Sequence, residues 1–207
     1  MVSRNKSKAA GQKFGYGSLL MAALLLTPFI PAVPQGTSKP ATIEATAMGT
    51  STQLGQRVDV KMIINRFSTD EDLQMLIAAF KKGQNEGLVT ALRKMPSVGR
   101  IAITGSVGDD LAYVRLTRTP TGLIIRFATN RPIRFGEAFF DNGSKSYNLT
   151  AGEFYLDDAN KNKSTGVVYP ACQLIVNHKG ELQFDLIRNP WKLVQIIDWN
   201  KAGMEAQ

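Results

Sequence analysis

The amino-acid sequence predicts an α+β protein: an antiparallel β-meander forming a barrel or two-layer sandwich, with a two-helix hairpin inserted after the first strands. Three observations carry this. From Gly99 onward, short runs of alternating apolar and polar residues recur between turn sequences. Ahead of them, one stretch switches to helical spacing. Strands alternating with single crossover helices are absent, which argues against a doubly wound parallel sheet.

The chain has 207 residues, 43% hydrophobic and 20% charged, enough for one substantial core. Residues 1–36 read as a signal peptide or N-terminal anchor, 37–41 as a linker, 42–199 as a single α+β domain and 200–207 as a C-terminal tail. In the leader a basic segment, Met1 to Tyr16, precedes the apolar run "SLLMAALLLTPFIPAV", the charge-then-apolar order of a secretory signal. The run is short and proline-broken for a membrane span, which needs about 20 apolar residues. Pro34 and Gly36 fit the small-residue cleavage rule poorly, and Ala45 with Ala47 would cut into a strand, so cleavage and anchoring both stay open. The expected setting is periplasm, cell envelope or medium, with membrane contact only through an uncleaved leader.

In the domain, Thr42 to Met48 reads as a short strand. "RVDVKMIINRF" follows, with Val58, Val60, Met62 and Ile64 on one face and Asp59 and Lys61 on the other. The period then changes. Leu73, Leu76, Ile77 and Phe80 fall at helical spacing behind a Ser68 or Thr69 cap and three acids, and Gly83 stops the helix. Leu88, Ala91, Leu92 and Met95 define a second helix between an Asn85 cap and Pro96, which makes a helical hairpin. The remaining strands are "GRIAITG", "LAYVRLTR", "GLIIRFAT", "IRFGEAFF", "SYNLTAGEFYL", "GVVYPACQLIV", "ELQFDLI" and "WKLVQIIDW". The helical pair is expected to close one end or edge of the sheet.

The formal charge is +8, but the leader holds four basic residues and no acid, leaving +4 for the rest. That footprint is weak for nucleic acid, and no nucleic-acid partner is expected. Basicity concentrates in Val114 to Glu137, with five arginines and no lysine. Strict alternation puts Tyr113, Arg115 and Thr117 on one face, opposite Ala112, Val114 and Leu116. Arg126 then opposes Leu123, Ile125 and Phe127, and Arg134 opposes Ile133 and Phe135. A simple register brings Arg115, Arg126 and Arg134 onto one outer face, suited to carboxylate or phosphate. The plain reading is a solvated exterior whose arginines pair with Glu137, Asp109 or Asp110.

Other chemistries find little footing. Cys172 is the sole cysteine, which excludes an intrachain disulfide and reads as a small buried hydrophobe. Asp158, Asn160 and Asn162 mimic the start of a calcium loop, but Lys163 and Tyr169 stand where glycine and glutamate belong, leaving a polar hairpin loop. "ITGSVGDD" lacks both the nucleophile-elbow and the phosphate-loop patterns and reads as a glycine turn. His178 is the only histidine, in a predicted turn, so neither zinc nor a triad is supported. A carboxylate pair such as Asp109 with Glu137 has the groups that acid–base work needs, with nothing in the sequence to bring the two together. Sequons such as Asn142-Gly143-Ser144 carry no functional reading. No catalytic, cofactor-binding or metal residue is assigned, and no cofactor is expected.

At "KMPSVGRIAITG", "RPIRFGEAFF" and "NPWKLVQI" the chain resembles a group of exported, uncharacterised bacterial proteins with the order leader, helical pair, β-rich body. The resemblance spans about Arg57 to Trp199 and rests on glycine turns and core residues. It implies a bacterial envelope or secreted setting, and no activity or site.

Three functions fit these features. The first is a non-catalytic binding or structural module holding a small apolar or amphipathic ligand between helices and sheet, since barrels with one covered mouth often enclose a cavity. The second is an interaction protein whose arginine face meets anionic envelope polymers or a partner. The third is an enzyme using a carboxylate pair.

Overall fold

Alternation in the sequence becomes wall and core in the computed structural model, which describes residues 40–133, 148–188 and 190–199. Strand β1 (Ala41–Gly49) turns Ala41, Ile43, Ala45 and Ala47 inward, and β2 (Arg57–Ile64) does the same with Val60, Met62 and Ile64. They pair antiparallel, Ile43 opposite Met62. Strands β3 (Gly99–Ile103), β4 (Asp109–Thr119), β5 (Gly122–Thr129) and β6 (Leu149–Asp157) follow, each hydrogen-bonded to the one before. Then come β7 (Thr165–Val176), β8 (Leu182–Arg188) and β9 (Trp191–Asp198). Of the expected strand at Ile133 to Phe140 only Ile133 is among the described residues; the rest of it, the leader and the C-terminal tail lie outside them.

β7 pairs with β6, β9 with β7, and β9 with β1, so eight strands close into an antiparallel barrel. This decides between the barrel and the sandwich. One edge of β7 serves two partners: Gly166 to Val168 bond β9, and Ala171 to Val176 bond β8, which therefore stands outside the ring. Between the two stretches the β6–β7 register shifts. Pro170, with no N–H to give a ladder, sits at that shift. Thr150 Oγ1 donates to the Pro170 carbonyl at 2.6 Å and accepts from the Ile133 amide at 2.6 Å, tying the irregularity together.

The barrel interior is filled with side chains. Trp191, Met62, Phe127 and Phe154 are all but fully buried there, the two phenylalanine rings 6.0 Å apart. Gly152 is needed beside them, since a Cβ at that position would lie 2.7 Å from Phe127 Cζ. Eight strands leave a bore just wide enough for such packing.

Among the described residues the α-helical ones form one element, α1 (Asp70–Lys94), where the sequence predicts a hairpin of two helices. The predicted stop at Gly83 is present as a kink: Gly83 (φ −141, ψ 19) and Gln84 (φ 50, ψ −145) leave helical dihedrals, and the helix resumes with no connecting loop. Of the two candidate caps, Thr69 takes the role. Its side chain accepts from the Asp72 amide while Asp72 accepts from the Thr69 amide, a reciprocal capping box. Ser68 instead bridges to β4, exchanging bonds with Val114 through its backbone N–H and its hydroxyl.

The buried face of α1, with Leu76, Leu88, Val89 and Leu92, packs on Ala112, Tyr113, Ala128, Leu149, Ala151, Cys172 and Leu174. These residues line the outside of the wall, so α1 lies across the outer surface of β4 to β7 and forms a second core there, rather than capping an end of the barrel. Each fully buried leucine contributes about 1.5–3 kcal/mol. No helix among the described residues is long and apolar enough to cross a membrane.

Candidate functional site

Strict alternation fails once in β4, with consequences for the site. Leu111 and Val114 both face the barrel core, whereas Ala112 and Tyr113 both face outward. The β4–β5 register shifts between Leu111 and Tyr113, the signature of a bulge that places two consecutive residues on one side. Ala112 therefore joins the outer face, against the strict alternation read from the sequence. Beyond the bulge Arg115 and Thr117 follow Tyr113 outward. In β5 the alternation is regular, Leu123, Ile125 and Phe127 entering the core.

The register sets Arg115 directly opposite Arg126, and Arg126 directly opposite Glu153 on β6. Two of the three arginines singled out from the sequence are thus neighbours on the outer wall. Arg134 and Glu137 lie outside the described residues. Like charges face to face destabilise a strand pair, and both guanidiniums are answered. Arg115 Nη2 meets Asp70 Oδ1 at 2.7 Å, and Arg126 Nε meets Glu153 Oε2 at 3.2 Å. The bond to Asp70 holds Arg115 still more firmly protonated, against the opposing effect of burial. Burial pushes the Tyr113 phenol up, with Arg115 beside it pulling the other way.

Of the acids expected as partners, Glu137 lies outside the described residues, and the other two serve neither Arg115 nor Arg126. Asp109 pairs with Arg131 at 2.8 Å, and Asp110 accepts from the Ser97 hydroxyl. Asp70 reads from the sequence as an acid suited to a helix N-terminus. It also reaches Arg115 because Ser68 pins the start of α1 to β4 at Val114.

Beside the arginine pair lies a cavity of ≈ 270 Å³. Leu73 of α1, Leu174 of β7 and Leu182 and Phe184 of β8 supply an apolar wall. Arg115, Thr117 and Arg126 supply a polar one, with Glu181 at the turn before β8. Contributions from β8 were not legible in the sequence as part of a site, because β8 is brought here only by the shift in β7. The β7–β8 turn is built by Asn177, whose side chain accepts from the Lys179 and Glu181 amides and donates to Glu181 Oε2 at 3.0 Å.

The other singled-out residues stay apart from this place. Asp158 pairs with Arg118 at 3.1 Å, and Asn160 accepts from the Asn162 amide, so the 157–164 loop bonds largely to itself. Cys172 is buried under α1, which raises its thiol to about 12, opposed by a backbone hydrogen bond at Ala151. Among the described residues no group of three or more His, Cys, Asp or Glu side chains is placed to hold a metal ion. Two wider grooves, ≈ 620 Å³ along the kink of α1 and ≈ 500 Å³ beside Asp109 and Arg131, lack a facing pair of guanidiniums.

Comparison with protein-family models, with curated proteins and with solved structures finds no match to this chain.

Proposed function

We propose that this chain is a non-catalytic binding module, exported to the periplasm, envelope or medium, that holds a small apolar or amphipathic molecule between α1 and the outer wall of the barrel. The observation that carries the reading is the ≈ 270 Å³ cavity, where an apolar wall faces two guanidiniums. Small-molecule sites usually have this character, a largely apolar lining with a few placed polar groups, at about 300–1,000 Å³. A volume just below that range suits a compact ligand. The filled barrel behind it is the rigid scaffold such a site requires. Export rests on the charge-then-apolar order of the leader.

The polymer-binding alternative is weaker, because Arg115 and Arg126 already hold carboxylates. A carboxylate-pair enzyme built on Asp109 has its acid tied to Arg131.

Titration with hexanol, followed by backbone and methyl NMR, tests the proposal. Shifts are expected at Leu73, Tyr113, Leu182 and Phe184. Thr117→Tyr, which plugs the exposed polar wall with a residue that strands favour, is expected to remove them while leaving the rest of the spectrum intact. Absence of saturable shifts at those residues in the parent protein overturns the reading.

A further inference from the structure

The cavity combines donors and an acceptor in an arrangement that selects a head group, an inference that rests on the binding reading above. Among the described residues Arg126 bonds Glu153 through Nε, which leaves its two terminal amino groups for another acceptor. Arg115 spends one terminal nitrogen on Asp70 and stands directly opposite Arg126 across the strand pair. Glu181 lines the same cavity and among the described residues engages Asn177 through Oε2, leaving Oε1 to accept a further N–H.

Charge then decides what kind of acceptor the ligand brings. Among the described residues around the cavity the two guanidiniums are matched by three carboxylates: Asp70, Glu153 and Glu181. An incoming carboxylate or phosphate could reach the same guanidinium N–H groups, but would bring its charge to a cluster already negative by one. An uncharged group carrying both a C=O and an N–H meets no such opposition. Its carbonyl takes guanidinium N–H bonds, its N–H gives to Glu181, and its tail lies on Leu73, Leu174, Leu182 and Phe184. We infer that the site takes uncharged acyl amides: a short alkyl or aryl tail bearing an amide head.

The test compares four probes of matched tail, hexanamide, methyl hexanoate, hexanoate and hexanol, by NMR titration or calorimetry at low and at high salt. Hexanamide is expected to bind about tenfold more tightly than hexanoate, a difference worth one well-placed polar contact, and to be indifferent to salt. Glu181→Leu is expected to bring hexanamide down to the level of methyl hexanoate without changing the ester. Glu181→Gln, which keeps an acceptor for Asn177, retains at least part of the preference. Equal weakening of amide and ester in both variants marks Glu181 as merely structural and overturns the assignment. Hexanoate binding as tightly as hexanamide, with affinity falling as salt rises, also overturns it while leaving the binding module standing. Failure of every probe, hexanol included, removes the binding module and the head-group assignment together.

Discussion

Gln84 holds the least comfortable backbone in the helical element. Its φ of 50 with ψ of −145 belongs to a region that glycine occupies and other residues reach only under constraint, at a cost of order 1–3 kcal/mol. Glycine there removes that strain but adds unfolded-chain entropy of roughly 0.5–1 kcal/mol. Gln84→Gly is therefore expected to stabilise the protein by about 1 kcal/mol, read as a higher urea midpoint with unchanged slope. Gly87 gives the opposite case, because a Cβ there would press on the backbone carbonyl of Ala79. Cys172 provides a chemical test of burial. With its thiol pushed up to about 12 and the side chain fully covered, thiolate is scarce at mildly alkaline pH. Labelling by a thiol reagent is expected to be negligible in the folded protein and complete in denaturant; rapid labelling of the native state would contradict the packing of α1 on β7.

Helix α1 depends on its first turn as well as on its buried face. Thr69→Ala removes the acceptor for the Asp72 amide and is expected to cost about 1 kcal/mol. Acid should act at the same place. Glu71 is held below its ordinary value of 4.5, first through its hydrogen bond with Thr69. Glu44 is lowered by the Trp199 indole and then by Lys61. A carboxyl with a lowered folded-state pKa contributes stability that is present above the unfolded value and disappears as pH falls through the folded one. Melting temperature is thus expected to fall on acidification below about pH 4.5, with a smaller fall in Thr69→Ala than in the parent. An acid limb of equal size in both proteins would show that the cap does not govern Glu71.

Closure of the barrel joins β1 to β9, the first and last described strands. Such distant pairing forms late and slowly, because a long loop must close before its contacts contribute. The seam carries two tryptophans in opposite settings: Trp191 is 0% exposed inside the barrel, and Trp199 is 60% exposed beside Glu44. Since the chain has 2 tryptophans, Trp199→Phe isolates the buried one. Its emission is expected to be blue-shifted and resistant to acrylamide in the folded state. Emission like that of a solvated indole would mean that β9 does not close the ring.

Local chemistry was enough to announce most strands, a break in the helical pattern at Gly83, a cap at Ser68 or Thr69 and the inward set of β2, whereas the hairpin read from that break is a single kinked helix. A period of two, a glycine or a hydroxyl before three acids acts on its immediate neighbours, so it is legible in one dimension. Tertiary packing decided the rest. Barrel won over sandwich because β7 bonds β6 along one edge and shares the other between β9 and β8. The bulge moved Ala112 to the outer wall, and the helix took the outside of the sheet because its apolar face packs on Ala112, Tyr113, Ala151 and Cys172 there. The candidate site follows the same division. Arg115 and Arg126 could be named from their alternation, but their register, their carboxylate partners and the β8 wall opposite them depend on residues far apart in the chain, which only folding brings within reach.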